Sequence, residues 1–498
     1  MNNTPKNRLC AVDSSQTILT PQQQSAFDVL LPFCLGETDH AMAVLSGFAG
    51  TGKTYLIAQL LKVLAGQMTI AVAAPTNKAV RVLRSKIAED GLSLDDEAVE
   101  PGDYQDPLKS ERGEAIAFAS IHSLLGLQLT ELEDGSQQCQ KKADSKLHHY
   151  DLVVIDECSM IGADLFAMVV TAKRDTLMLF VGDPAQLPPI EAKRVDVVSP
   201  TFSRVSLQAT LSDVVRQARD NPVIKLSMML RQAIEANQRV EPTAITLSLP
   251  PLDQHPAAAL VPGGRDTAAD FALHEIQHQR DARVIAYTNA TVLDYNSRIH
   301  AGLYGQTEFP FVPGEPIIAQ TQCHLMKCLE DGLTTGIAVR LITSEEAMLH
   351  HIEAGEHPHY PDIPAYRVIL KLDSGDYGLG FVPKDQQQYF QTMNAGWAEW
   401  RRLKMMAEQA RAQGYHQDAS ALSADASQQS KRNWALKKAF SPIRHAYALT
   451  VHKSQGSTFD TAIVDLQDMA MGMKSAFQFN RGLYVASTRP RHYLAIVA

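Results

Sequence analysis

Eight residues constrain this chain more than any others: Gly47-Phe48-Ala49-Gly50-Thr51-Gly52-Lys53-Thr54. They follow the pattern glycine, four residues, Gly-Lys-Ser/Thr, which builds a loop around phosphate. Ahead of them Ala41 to Leu45 form an apolar run of strand length. Behind them Leu56, Leu60, Leu61 and Leu64 recur at helical spacing. The chemistry needs that context. Glycines let successive N–H groups turn towards an anion, and the first turn of a helix favours negative charge. The pattern predicts a nucleoside triphosphate site. Lys53 would reach the β- and γ-phosphates, and the Thr54 hydroxyl would hold Mg²⁺.

Neighbouring stretches fit the same site. Asp151 to Ile155 is an apolar strand ending in Asp156-Glu157. Asp156 can hold the metal through water, and Glu157 can orient and deprotonate an attacking water. Leu177 to Val181 closes with Gly182-Asp183-Pro184-Ala185-Gln186, where the Gln186 amide can sense the γ-phosphate. Met68 to Ala74 ends in Pro75-Thr76-Asn77, which offers hydroxyl and N–H donors to a phosphate or, equally, an ordinary helix cap. Upstream, Thr20-Pro21 starts a helix. The amide of Gln23 can pair with an adenine edge, or it can belong to a solvated helix start. Four such strands alternating with helices before residue 190 predict a parallel α/β sheet.

The 498 residues suggest about three domains. No run of about 18 apolar residues offers a membrane span. Met1 to Gln16 lacks the apolar core of a signal peptide. The 6 cysteines show no metal-binding spacing, so reduced thiols in a cytoplasm, bacterial or phage-infected, are expected. A net charge of −9 argues against wholesale binding to nucleic acid but leaves room for a local basic groove. Part of that charge lies in an acidic insertion, residues 88–117, read as a surface loop. Residues 126–143 read as a β-hairpin turning at Asp134-Gly135, with no aromatic residue at its tip.

In order along the chain, the phosphate loop, Pro75-Thr76, Asp156-Glu157-Cys158-Ser159-Met160 and Gly182 to Pro189 resemble motifs of superfamily 1 DNA helicases, specifically the RecD-like branch. The single-chain layout is similar to that of the phage Dda helicases. Leu211 to Gln217, Ala286 to Asn289, Thr450 to Ser457 and Tyr484 to Arg489 match the later motifs. The resemblance implies two RecA-like domains with ATP between them and single-stranded DNA across both, travelled 5′ to 3′. Arg216 and Arg489 would be arginine fingers, and Gly456 would lie with the nucleotide set. Thr76, Pro75, Asn77, His122, Thr288, Asn289, Thr450, His452 and Lys453 would contact DNA.

The expected division is a first RecA-like domain over 1–190, a second over 191–310 and 441–498, and an insertion over 311–440. Short strands within 312–382 suggest a small barrel, which the resemblance makes SH3-like. Beyond it, 385–440 reads as helical with a polar break at 413–431. All three tryptophans fall there; core packing or base stacking would account for them. The resemblance makes the hairpin a strand-separating pin and this helical unit a tower. Partners would be single-stranded DNA, duplex junctions and replication or recombination proteins, and one chain could suffice as a monomer. Two rivals stand beside a DNA helicase: an RNA-directed helicase, and an ATPase that remodels complexes without unwinding.

Overall fold

Ala43, Val44 and Leu45 in strand Met42–Gly47 are all fully buried, so both faces of that strand must be covered. Leu45 packs with helices Pro21–Cys34 and Lys53–Leu64. Val44 packs on the opposite face with Ile121, Leu147, Phe166 and Phe180. The computed structural model of the chain describes residues 19–89, 116–131, 137–141, 143–189, 197–213, 221–252 and 254–498. Its first sheet is six parallel strands in the order Ala117–Ser120, Ile70–Ala74, Leu152–Ile155, Leu177–Gly182, Met42–Gly47 and Leu207–Leu211. The four expected strands occupy its centre. Leu207–Leu211 lies beside the phosphate-loop strand, so the first unit runs past residue 190 to at least Leu211.

A second sheet has five parallel strands in the order Ala448–Thr450, Ala282–Ala286, Phe459–Asp465, Pro490–Val497 and Ala258–Val261. Tyr295 and Ile299 of helix Asn289–Tyr304 cover one face. Leu226 and Leu230 of Pro222–Glu235, with Phe479 and Leu483 of Ala476–Ser487, cover the other.

The insertion forms one antiparallel sheet of seven strands. Its order is Thr334–Leu341, Cys323–Cys328, Tyr377–Pro383, Tyr360–Lys371, Glu346–His357, Pro316–Ala319 and Ile443–His445. Three of these strands were not anticipated. Hydrogen bonding leaves Thr334–Leu341 and Ile443–His445 as open edges. Ile443–His445, expected in the last part of the second domain, instead pairs with Pro316–Ala319 and closes the neck through which the insertion leaves. There the fully buried Glu315 accepts from the Tyr447 hydroxyl at 2.9 Å, the Val312 N–H at 3.0 Å and His300 Nδ1 at 3.0 Å.

Helices Gln386–Ala412 and His416–Ala439 form an antiparallel hairpin. The expected polar break at 413–431 is therefore wrong: only three residues interrupt the helix, turning on Gly414 at φ +84°. The stretch is polar because two packed helices with no further layer need only a narrow apolar seam. Trp397 lies 5.7 Å from Trp434 and 6.3 Å from Trp400 in that seam, as the packing reading expects. Strands Leu127–Glu131 and Gln137–Lys141 pair as the anticipated hairpin. Its turn at 132–136, most of the acidic insertion (90–115) and Arg216 lie outside the described residues.

Candidate nucleotide cleft and adjoining cavity

The parallel register delivers the phosphate loop and the two carboxylates to one edge of the first sheet. Gly47 leaves its strand against Leu211, and a Cβ there would meet the Leu211 carbonyl at 2.9 Å. Gly50 and Gly52 take φ of +82° and +84°, a region costly for other residues. Helix Lys53–Leu64 begins immediately after, with Thr54 in its first turn. Lys53 Nζ donates to the loop's own carbonyls, Gly47 O at 2.7 Å and Phe48 O at 3.0 Å. Thr51 Oγ1 likewise donates to Phe48 O at 2.9 Å. An ammonium folded back on loop carbonyls at the start of a helix fits an anion as its natural occupant.

Asp156 and Glu157 follow strand Leu152–Ile155, and the Glu157 N–H donates to Asp156 Oδ1 at 2.8 Å. Glu157 adopts a left-handed φ of 53°, uncommon for a residue with a side chain and often found at functional sites. Glu157 Oε2 is sealed from solvent without a partner among the described residues. Burial pushes the Asp156 carboxyl up, opposed by the Glu157 N–H and Lys53. Burial, then Asp156, pushes Glu157 up, opposed by Arg489 and Lys53. Two carboxylates beside an ammonium and an orphaned oxygen suit a divalent cation and a water.

The second unit completes this cleft. Arg489 is 6% exposed. It is held by Val485 O at 2.9 Å, Ser457 O at 3.3 Å and Thr488 Oγ1 at 3.0 Å. Burial lowers its pKa, and the opposing charges are Glu157, Tyr484 and Asp183. Gln186 Oε1 accepts from Gln455 Nε2 at 3.1 Å, bridging the two units. Tyr484 makes the densest link. Its hydroxyl donates to Asp183 Oδ2 at 2.7 Å and accepts from the Ala49 N–H at 3.1 Å and from Arg231 at 3.0 Å. The Arg231 guanidinium lies 3.3 Å from the centre of the Phe48 ring. The sequence reading missed Asp183, Arg231 and Tyr484 as site residues. Arg231 carried a usable signal, because it falls on the apolar stripe of its helix with Val223, Leu226 and Leu230.

Gln23 is bound within the chain. Its Oε1 accepts from the Thr20 N–H at 3.0 Å while Thr20 Oγ1 accepts from the Gln23 N–H at 3.2 Å, a capping box. Its Nε2 donates to Thr51 O at 3.1 Å. Each end of the amide thus makes one bond inside the chain, tying the first helix to the phosphate loop and leaving one N–H and one lone pair for a base edge.

Beside the cleft lies a cavity of about 640 Å³. Thr76, Thr288, Asn289, Thr450, His452 and Lys453 all line it, whereas Pro75 and His122 do not. Gly456, expected with the nucleotide set, lines this cavity, as do Glu157 and Gln455. The threonines act as helix caps. Thr76 Oγ1 accepts from the Ala79 N–H at 3.2 Å, Thr288 Oγ1 from the Thr291 N–H at 3.2 Å, and Thr450 Oγ1 from the Lys453 N–H at 3.4 Å. Three capped helix starts thus face one cavity, with Lys453 beside them. Burial, then Arg444, lowers the Lys453 ammonium. Asn77 opens the helix that Thr76 caps. His122 sits in the short helix Ile121–Leu124, lowered in pKa by burial and opposed by the Pro75 backbone.

Residues 19–242 match an AAA domain family, and residues 445–497 match the UvrD-like helicase C-terminal domain. The chain is similar to the ATP-dependent DNA helicase dda of Enterobacteria phage T4, at 24% identity over 90% of this chain and 92% of that protein. It is 33% identical to RecBCD enzyme subunit RecD of Mycolicibacterium smegmatis over 33% of this chain. The match spans 28% of that RecD and 38% of an uncharacterized mimivirus relative. A solved Pif1 helicase from Bacteroides, in complex with ADP-AlF3 and ssDNA, is similar over 96% of this chain and 92% of that one. The two share 15% identity, with a TM-score of 0.48.

Proposed function

We propose that this chain, a RecD- and Dda-like member of superfamily 1, is an ATP-dependent DNA helicase that moves 5′ to 3′ on a single strand and opens duplex. One observation carries the reading. The edge of the nucleotide cleft is also the wall of the cavity, because Glu157, Gln455 and Gly456 line the cavity while Glu157 lies within the field of Arg489 and Gln455 binds Gln186. A change at the phosphates is therefore felt where a nucleic-acid backbone would lie. Polarity rests on the family resemblance.

In this reading Lys53 and the loop amides hold the ATP phosphates, and Thr54 and Asp156 hold Mg²⁺. Bound Mg²⁺-ATP supplies the γ-phosphoryl group that water accepts. Glu157 orients that water and takes its proton, which its raised pKa suits. Arg489, joined by Arg216, brings positive charge from the second unit, so charge stabilisation is complete only when the cleft is closed. Gln186 carries the state of the site to Gln455. Thr76, Thr288, Asn289, Thr450, His452 and Lys453 bound the strand through helix starts and backbone contacts that read no sequence. The hairpin Leu127–Lys141 acts as the pin, and the inserted unit, an open sheet where an SH3-like barrel was expected, braces it with its helical tower. Replication or recombination proteins are the expected partners.

The test is unwinding of a short duplex carrying a 5′ or a 3′ single-stranded tail, with ATP and Mg²⁺. Opening of the 5′-tailed substrate alone is expected, and Lys53→Ala is expected to abolish both unwinding and DNA-stimulated ATPase activity. ATP consumption with neither substrate opened would move the assignment to a remodelling ATPase, the reading favoured by a hairpin without a stacking residue. Preferential opening of a matched RNA duplex would make it an RNA helicase.

A further inference from the structure

The helical hairpin carries positive charge that neither the cleft nor the cavity uses. The chain as a whole is −9, yet cations line the hairpin from Lys404, well along its first helix, to Lys437 and Lys438, where its second helix ends at the inserted sheet. The packed tryptophans set their direction. Lys404 lies over the Trp400 ring at 4.7 Å and Lys437 over Trp434 at 5.3 Å, while Trp397 joins the two helices. Lys438 follows in the last turn of the second helix. The sheet adds Arg340, exposed and opposite His324 in the register of strands Cys323–Cys328 and Thr334–Leu341. Cations from helix and sheet converge at that point: burial, then Lys438, Arg340 and Lys437, lowers the His324 imidazole.

The position of this patch is as informative as its charge. Arg340 is three residues before Thr343, which with Ser344 lines the cavity. At about 3.3 Å per residue of extended chain, the patch begins roughly 10 Å from the cavity wall.

We propose that Arg340, Lys404, Lys437 and Lys438 form a surface that holds the phosphate backbone of the duplex arm next to the cavity. This rests on the DNA-helicase reading above. Two features favour duplex over single strand. The indole faces are taken by each other and by lysines, so the surface offers cations but no open platform for stacking bases, the usual device for single strands. Duplex also presents about one charge per 1.7 Å of axis, roughly twice the density of one strand, to a patch spread over two helices and a strand edge.

The test uses the full chain with Arg340→Glu/Lys438→Glu, both exposed and neither placed in the cleft or cavity. Binding is measured from about 50 to 200 mM salt on a 5′-tailed duplex and on a single-stranded oligonucleotide of the tail sequence. The expected result is a loss of about tenfold or more on tailed duplex and a salt slope shallower by about 2. Single-strand affinity and single-strand-stimulated ATPase activity should stay at wild-type level. The milder Arg340→Gln/Lys438→Gln should show the same slope change with a smaller loss. Tailed-duplex affinity within twofold of wild type, in a variant with wild-type melting, overturns the surface. An equal loss on the single strand also overturns it, since the occupant would then be the tail. A wild-type chain that binds neither substrate overturns the helicase reading itself, and the surface with it.

Discussion

Tyr484→Phe is the sharpest probe of how the two units are joined. The substitution keeps the ring, which is fully buried, and removes one oxygen that makes three hydrogen bonds. Burial and Asp183 keep that phenol protonated, so it can always donate. Without it Asp183, 0% exposed, keeps the Ala185 N–H at 2.9 Å on Oδ1 but loses its donor on Oδ2. Arg231 loses an acceptor at the same time. Hydrogen bonds to charged groups contribute about 1.5–3 kcal/mol, and the orphaned partners stay buried. A penalty of about 2 kcal/mol on the joined arrangement is therefore expected, or roughly thirtyfold in an equilibrium. Because the bonds cross from the second unit to the phosphate loop, the loss should fall on the closed state. DNA-stimulated kcat/KM for ATP should drop about thirtyfold. Binding of a fluorescent ATP analogue, which relies on Lys53 and the loop, should change less than threefold. Wild-type kcat with unchanged melting would refute the reasoning, since the hydroxyl would then couple nothing. A parallel loss of nucleotide affinity and melting temperature would refute it differently, by making Tyr484 a core residue only.

The carboxylate pair supplies a prediction with a sign in pH. Folding raises the pKa of Asp156 and Glu157. The pair therefore favours the fold at acid pH, and stability is lost as pH rises from the ordinary carboxylate range through the raised values. Glu157→Gln should accordingly raise the nucleotide-free melting temperature at neutral pH, flatten its decline with pH, and reduce ATP turnover at least a hundredfold. A lower melting temperature would show that the charged pair is not the source of strain. Gln23→Ala should cost about 1 kcal/mol through the lost cap, visible as lower melting. It should weaken ATP and GTP equally, because the amide serves the loop; a loss confined to ATP would favour the adenine reading.

Much of the architecture was legible because it repeats. Strands buried on both faces are apolar throughout, so Met68 to Ala74 and Leu177 to Val181 announced themselves. Strand Leu207–Leu211 was less visible because it lies at an edge and alternates buried with exposed residues. Glu346–His357 was masked for the same reason: it carries three histidines and three glutamates on a long, half-solvated strand. At the site, Lys53, Asp156 and Glu157 fall at one sheet edge, and Thr76, Thr288, Asn289, Thr450, His452 and Lys453 line one cavity from which Pro75 and His122 are absent, since strand–loop–helix units bring their own geometry. What local pattern does not encode is the partner across the cleft. Tyr484 meets Ala49 over a separation of 435 residues, and nothing in either neighbourhood specifies the other. The cap threonines show the reverse problem. Thr76, Thr288 and Thr450 were read as phosphate contacts, Thr76 equally as a helix cap, and their side chains cap helices while lining the cavity.

The inserted sheet is fastened at both ends, which restricts how the cleft can move. Through its neck Glu315 binds Tyr447 and His300 of the second unit. On the same side Glu346 accepts from Arg283 at 3.2 Å. Across the cleft Glu345, 3% exposed, pairs with Arg81 on the helix Asn77–Glu89 of the first unit while accepting the Ile342 N–H at 2.8 Å. Adjacent residues of one turn thus hold opposite units. A relative shift of the two sheets cannot leave both ion pairs as they are, and the buried neck, with a carboxylate satisfied by three donors, is the costlier one to break. The Arg81–Glu345 pair, with Arg81 partly exposed and Glu345 still held by the Ile342 N–H, is the contact expected to yield first. Under the proposed reading, a cleft that opens at this contact, beside Thr343 and Ser344 on the cavity wall, would reshape the cavity in the same movement.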